Sequence, residues 1–493
     1  MGEKTQEKIG EIDFGAFVKY SKSGPRYTSY PTAVEFKEDF DEGAYRAALE
    51  RADKGLGASP ESSLESSPKS RPESTKSKPD SEPTLPLSLY THLPFCRSAC
   101  YFCGCNVIYT SKEDKKARYI DYLKKELALL SQAMDTTREV VQFHFGGGTP
   151  SFFNAQELGE VISLLRATFP NFAPNAEISC EIDPRFFTRE QMQVLKNGGF
   201  TRLSFGVQDF EPRVQEAIHR IQSVEVVENA IALAREFGIE SVNFDLIYGL
   251  PFQDEASFSR TLEKVVSLSP DRLAIFNYAH LPWMKKTMRK IDETTLPTPA
   301  QKLEILKNTI AFLQGREYGM IGMDHFAKKS DELYLAKCSG ELRRNFQGYT
   351  TRGFSQTIGV GLTSISEGYD YYAQNHKDMS AYEAALDSGR LPTERGVRLS
   401  HEDILRKEVI MGLMNNLSLD FSRIEARFGI DFRAYFGKSL EALREYEEAG
   451  LLEIGASGIT TSPTGGMLIR NIAMAFDAYL PQHDNTKRFS KTI

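Results

Sequence analysis

Four of the six cysteines in this 493-residue chain fall within ten residues, in the string Cys-Arg-Ser-Ala-Cys-Tyr-Phe-Cys-Gly-Cys from Cys96 to Cys105. The other two, Cys180 and Cys338, stand alone. The first twenty residues are polar and mixed in charge and show no secretory signal, so the clustering points to metal rather than to disulfides. Thiolates this close in sequence wrap one side of a single centre, and Gly104 leaves the loop free to turn. Two centres compete. A structural zinc would use all four thiolates, but it normally draws on a second Cys-x-x-Cys knuckle, and none follows downstream. An iron–sulfur cluster could take Cys96, Cys100 and Cys103 at three corners, which leaves one iron open to a substrate.

Composition narrows the class. With 41% hydrophobic residues the chain can build one large core plus satellites. No apolar run approaches the roughly 20 residues of a membrane span, so no membrane partner is expected. A net charge of −7 argues against nucleic acid as the main partner, without excluding a basic pocket for an acidic small molecule. Reduced thiols without an export signal imply the cytoplasm.

Read in order, the chain divides into an N-terminal strap (1–53), a Ser/Pro-rich insertion (54–86), a catalytic domain (87–376) and a C-terminal piece (377–493). The strap holds Gly-Pro-Arg-Tyr-Thr-Ser-Tyr-Pro-Thr from Gly24 to Thr32, where Pro25 and Pro31 forbid a regular helix. The insertion cannot bury a core and is expected to be disordered. From Leu87 one pattern repeats: a short apolar run, a polar or glycine-rich tip, then an amphipathic helix. The runs are 87–91, 140–145, 177–182, 202–207, 242–247 and 272–276; the helices are 115–130, 155–168, 188–197, 224–237 and 257–267. Such β–α units with right-handed crossovers build a parallel sheet, here curved into a full or partial barrel.

Functional groups gather where parallel strands end. The first tip is the cysteine loop, and the second is Gly146-Gly147-Gly148-Thr149-Pro150, whose missing side chains would let a ligand reach the backbone. Later tips carry Glu181 and Asp183, then Gln208 and Asp209, then Asp245, then Asn277 and Tyr278. Polar groups at consecutive tips suggest a lined cavity. The C-terminal piece reads as helices at 403–415 and 439–449, a hairpin over 450–461, and a closing helix at 470–476. Helices followed by a hairpin give a winged-helix-like shape, and because this wing carries no basic residue it is expected to serve as a lid.

Cys-x-x-x-Cys-x-x-Cys with Phe102 before the third cysteine resembles the cluster loop of the radical S-adenosylmethionine superfamily. The longer string Tyr-Thr-His-Leu-Pro-Phe-Cys from Tyr90, continued to Asn106, is similar to the oxygen-independent coproporphyrinogen III oxidase family. The resemblance implies an α/β fold with a parallel β/α partial barrel of the radical SAM type. It implies one [4Fe–4S] cluster on Cys96, Cys100 and Cys103, and two molecules of S-adenosylmethionine. The first would be held by Tyr90, Gly147 and Glu181; the second matches Phe102, Gly148, Thr149, Gln208, Arg220, Asp245, Ala279 and Ile365. Phe346 and Gln347 match residues near substrate, and Phe145 stands where the family usually has tryptophan. Cys105 would stay off the cluster, because the fourth iron must remain open for the sulfonium ligand. The strap resembles a segment that folds back toward the active site, where Arg26 could meet a carboxylate.

The implied reaction is oxidative decarboxylation of two propionates of coproporphyrinogen III to vinyl groups, with an unidentified electron donor and acceptor. The β-carbon C–H bond is unactivated, so no side-chain base can take that hydrogen as a proton, and a 5′-deoxyadenosyl radical is required. The working form is expected to be a monomer. The alternative reading is a haem chaperone or haem-binding radical SAM protein of the same branch.

Overall fold

The computed structural model describes residues 12–55 and 84–480. Most of the expected disordered insertion at 54–86 lies outside the described residues. The frame of the molecule is one twelve-stranded sheet: β1 Leu87–Leu93, β2 Val140–Gly147, β3 Phe172–Ile182, β4 Arg202–Gln208, β5 Ser241–Tyr248, β6 Arg272–Asn277, β7 Tyr318–Gly322, β8 His325–Lys328, β9 Gln356–Val360, β10 Ile365–Glu367, β11 Tyr371–Asn375 and β12 Thr393–Arg398. Their order across the sheet is β12-β11-β10-β9-β1-β2-β3-β4-β5-β6-β8-β7. From β9 to β6 every neighbour is parallel, whereas the flanking strands pair antiparallel. The outermost strands, β12 and β7, do not pair with each other, so the barrel is open.

Crossover helices α1 Glu113–Ala133, α2 Ala155–Thr168, α3 Arg189–Asn197, α4 Val224–Glu236 and α5 Glu255–Ser267 join the parallel strands, and α6 Pro299–Gln314 follows β6. Local chemistry sets several of their starts. Asn154 with Glu157, Thr188 with Gln191, and Asp254 with Ser257 form capping boxes that satisfy otherwise orphaned N–H groups. In α1, Tyr119, Ile120, Leu123, Leu127 and Leu130 share one face and are buried. Each such burial is worth about 1.5–3 kcal/mol.

The six apolar runs and five helices read from the sequence are all present within a few residues of their expected bounds. One parallel strand was missed. β9 is only five residues long, but all five are buried, and it extends the sheet on the far side of β1. The sheet also runs beyond residue 377, because β12 pairs with β11. Further on, α7 His401–Asn416 is continuous, but the helix expected at 439–449 is broken into Gly437–Ala442 and Arg444–Glu448. The expected hairpin pairs Leu452–Ile454 with Gly458–Thr461 and gains Ser418–Asp420 as a third strand. No described helix is long and apolar enough to cross a membrane.

Glu126 on α1 joins helix and sheet. Its carboxylate accepts from Asn375 Nδ2 at 2.6 Å, Tyr382 Oη at 2.6 Å and the Gly361 backbone N–H at 2.8 Å, all buried. Removing it strands three buried donors at once. Glu126→Ala is expected to cost about 3 kcal/mol or more in urea unfolding, against a fraction of that for an exposed acid on the same helix such as Asp121.

Candidate active site

Five consecutive strands of the barrel alternate in the same sense, with apolar residues outward and mostly polar residues inward. The inward series is Gln142 and His144 on β2, Glu177, Ser179 and Glu181 on β3, Arg202, Ser204 and Gly206 on β4, Ser241, Asn243 and Asp245 on β5, then Arg272, Ala274 and Phe276 on β6. The residues between them, including Phe143, Phe145, Ile178, Cys180, Leu203, Phe205, Val242 and Phe244, are buried in the core that the helices share. Period-two alternation is what a pleated strand requires when its two faces meet different surroundings. The inner surroundings are a cavity of about 490 Å³ running from the cysteine loop down the barrel axis.

Of the residues singled out from sequence, Cys96, Cys100, Phe102, Cys103, Cys105, Gly147, Gly148, Thr149, Glu181, Gln208, Arg220, Asp245 and Gln347 line this one cavity. Four others stand off its wall. Tyr90 lies behind Glu181, its ring stacked on His144 with centroids 6.0 Å apart. Phe346 and Ile365 belong to an apolar cluster with Phe36, Tyr372 and Leu399, where Phe346 meets the Tyr372 ring edge-on at 5.9 Å. Ala279 is half-buried just beyond the end of β6. Residues that the tip-by-tip reading missed are the lower inward positions, from Gln142 to Arg272. Their signal in the sequence is the alternation itself, in the polar residues that stand between the apolar ones.

The cysteine wall is electropositive. Arg220, buried, approaches Cys100 Sγ at 3.7 Å and also donates to Asp183 Oδ2 at 3.3 Å and the Gly206 carbonyl at 2.6 Å. A Cβ at Gly206 would lie 2.9 Å from the Gln208 amide and 3.0 Å from the Arg220 guanidinium, so the two side chains pack directly on the glycine. Cys96 Sγ lies 3.2 Å from Thr149 Oγ1, and burial pushes its thiol up to about 12. The interaction between the neighbouring Cys103 and Cys105 thiols lowers Cys103 below its ordinary range and raises Cys105 well above it; Lys285 and Arg220 add to the lowering. Among the described residues no three His, Cys, Asp or Glu side chains close to single-ion distance. Three thiols facing one cavity beside guanidinium and ammonium charge instead fit a larger thiolate-bound cluster.

Opposite stand two carboxylates. Burial would raise Glu181, but His144, whose Nε2 lies 3.5 Å away, and the Gly147 N–H at 3.2 Å outweigh it and hold the carboxyl below its ordinary range. Burial, reinforced by the charge of Glu181, pushes Asp245 up to about 6 although Ser204 and Asn243 donate to it at 3.0 and 2.8 Å. The glycine tip works differently from expectation. A Cβ on Gly147, whose φ is +115°, would lie 2.7 Å from the His92 ring, and one on Gly148 would lie 2.7 Å from the Pro94 backbone. The missing side chains therefore admit the chain's own first tip, and only the remaining surface of the glycines faces the cavity.

His92 ties these pieces together. Its Nε2 must donate to the Asn106 carbonyl at 3.1 Å, which leaves Nδ1 to accept from Tyr90 Oη at 3.0 Å. Both roles need neutral imidazole, and burial pushes its pKa down to about 4. Between that value and about 6.5 the unfolded chain binds the proton and the folded one does not. Stability from this group is therefore complete above about pH 6.5 and lost as pH falls through 4, by at most ~3 kcal/mol. Denaturant unfolding of wild type across this window is expected to fall more steeply than that of His92→Gln, and parallel curves would overturn the assignment.

Comparison with known proteins agrees with this geometry. Residues 90–265 match the radical SAM superfamily and residues 399–468 the HemN C-terminal domain. A Helicobacter pylori (strain J99) protein named oxygen-independent coproporphyrinogen III oxidase is 60% identical over 482 residues, covering 98% of this chain and 99% of its own. The Escherichia coli (strain K12) protein of the same name is 43% identical over 481 residues, covering 98% of each chain. The solved structure of coproporphyrinogen III oxidase (HemN) from Escherichia coli, described as a radical SAM enzyme, superposes with a TM-score of 0.85 at 42% identity, covering 95% of this chain and all of that one. With thiols, glycine tip and acidic tips on one cavity and identity across nearly its whole length, the chain belongs to the oxygen-independent coproporphyrinogen III oxidase family of radical SAM enzymes.

Proposed function

We propose that this protein catalyses the oxygen-independent oxidative decarboxylation of two propionates of coproporphyrinogen III to vinyl groups, giving protoporphyrinogen IX. The observation that carries the reading is the convergence of Cys96, Cys100 and Cys103 with Glu181 and Asp245 on one cavity, in a chain 60% identical to a relative of that name. The names of the relatives favour this oxidase over the haem-chaperone alternative. In this reading Cys96, Cys100 and Cys103 hold one [4Fe–4S] cluster. Tyr90, Gly147 and Glu181 serve a first S-adenosylmethionine; Phe102, Gly148, Thr149, Gln208, Arg220, Asp245, Ala279 and Ile365 serve a second. When bound, cluster and S-adenosylmethionine supply the 5′-deoxyadenosyl radical that takes a hydrogen from an unactivated carbon.

The protein's own residues position and shield. Glu181, ionised and fixed by His144 and the Gly147 N–H, offers a carboxylate to the ammonium end of an amino-acid ligand. Asp245, braced by Ser204 and Asn243, suits a ribose hydroxyl. Arg220 neutralises thiolate charge beside Cys100. Cys105, whose interaction with Cys103 lowers that thiol, tunes a ligand without being one. Phe346 and Gln347 lie near substrate, and the C-terminal piece serves as a lid. The chain works as a cytoplasmic monomer with a separate electron donor and acceptor, without nucleic acid or membrane.

The deciding assay is anaerobic. Protein reconstituted with iron and sulfide, reduced, and given S-adenosylmethionine and coproporphyrinogen III is expected to yield both 5′-deoxyadenosine and protoporphyrinogen IX by chromatography. Deoxyadenosine without decarboxylated porphyrin would reject the substrate, and tight stoichiometric haem binding without turnover would favour the chaperone. For the thiols, Cys105→Ser should keep the cluster's visible absorbance while Cys100→Ser loses it; equal loss in both would sink the role given to Cys105.

A further inference from the structure

Where the strap, the barrel wall and the closing helical segment meet, three guanidinium groups surround one carboxylate. Asp324, in the turn between β7 and β8, receives Arg26 from the strap and holds His325 Nδ1 at 2.8 Å. Arg344 donates to the Arg26 carbonyl at 3.0 Å and bears on the same carboxylate through space. Arg470, 6% exposed, donates to the carbonyls of Gly24 and Pro25 and makes no ion pair among the described residues. The next acid, Asp477, is taken up by Tyr27 Oη at 2.9 Å and the Tyr479 N–H at 2.8 Å. One acid against three arginines leaves a surplus of positive charge, with Arg470 buried, Arg344 half-buried and Arg26 reaching solvent. Charge drawn together in this way is normally paired, so the surplus marks a place that an anion completes.

A second observation gives the direction from which the anion comes. Arg344 Nε is buried without a hydrogen-bond partner, as is the hydroxyl of Tyr349, a residue only 7% exposed. Both amide atoms of Gln347 lack partners too. Tyr349 and Gln347 line the active-site cavity. The Arg344 guanidinium stands over the Tyr349 ring at 5.3 Å, and that of Arg26 stands over Phe276 at 5.8 Å, another cavity-lining ring. The uncompensated charge is thus one aromatic ring away from the cavity.

We infer that Arg26 and Arg344, with the Tyr349 hydroxyl, form a carboxylate-binding subsite that takes a propionate of the substrate other than the one being oxidised. The inference rests on the reaction proposed above and adds to it the residues that orient the porphyrinogen. Planar guanidinium forks match a carboxylate in geometry and charge, and Asp324 keeps Arg26 aligned. A propionate held on the His325 and Tyr349 wall leaves another free to face the cysteine wall.

The test uses the reconstituted enzyme with Arg26→Gln, Arg344→Gln and Arg344→Lys. Both glutamine variants are expected to raise KM for coproporphyrinogen III about tenfold or more, leaving KM for S-adenosylmethionine unchanged. Arg344→Lys should recover part of the loss, and the salt dependence of the wild-type KM should flatten in the glutamine variants. Arg26, with a side chain 42% exposed, tolerates substitution without unfolding and keeps the test open if Arg344→Gln is unstable. A porphyrinogen KM within about twofold of wild type in both glutamine variants would overturn the subsite. Failure of the wild type itself to make vinyl product would overturn the reaction instead, so the two failures are distinguishable.

Discussion

The cavity depends on one close contact, the seating of Gly147 flat against the His92 ring. It clamps the first two strand tips together. His92 in turn holds the Asn106 carbonyl at the exit of the cysteine loop, and the Gly147 N–H holds Glu181 on the third tip. Four elements are thereby set in register by a residue with no side chain and a ring with no charge. A β-carbon at position 147 would need to pass through the imidazole, in a backbone conformation that side chains rarely adopt. A protonated imidazole would put an uncompensated charge in this buried joint and turn the Tyr90 hydroxyl from donor to acceptor. The thiols and the carboxylates face one another because this joint holds.

Around the joint the barrel inverts the usual arrangement of a core. Its concave face carries Gln142, His144, Glu177, Glu181, Arg202, Asn243, Asp245 and Arg272, and its convex face carries the phenylalanines and branched aliphatics that α1 to α5 cover. Polar groups in such a place are costly unless paired, and most are paired: Gln142 with Glu177 at 2.8 Å, Arg202 with Glu177 at 3.2 Å, Arg272 with Asp331 at 2.9 Å. These pairs brace the lower part of the cavity, whereas the unpartnered atoms of Gln347 and Tyr349 lie on its wall.

The strap and the closing helical segment also meet. Lys22, Gly24, Pro25, Tyr27 and Tyr30 of the strap bond to Asn471, Arg470, Asp477 and Ala478, across separations of more than 440 residues. Met474 packs on Gly24, where any side chain would collide with its sulfur. Met474, in the closing helical segment, is therefore occupied by the strap. Arg26 does meet a carboxylate, that of Asp324, so the strap joins the C-terminal helices to the barrel wall beside the cavity.

Much of the fold was legible in the residues because strands and crossover helices carry local signals: the apolar period, the capping boxes, the glycine and cysteine tips. The same regularity exposed the cysteine loop and the tip residues Glu181, Gln208 and Asp245, which sit where parallel strands must end. What the sequence could not decide were facts of partnership between distant segments. β9 is five buried residues with no pattern of its own, and it becomes a strand only because the free edge of β1 needs a neighbour. The close approach that fills the space left by Gly147 and Gly148 depends on where the first tip lies. The surplus of arginines around Asp324 exists only once residues 26, 324, 344 and 470 share one place. Local sequence determined which elements form and which chemistry the tips carry. Tertiary structure alone decided which buried charges find partners, because pairing depends on distance in space and leaves no period along the chain.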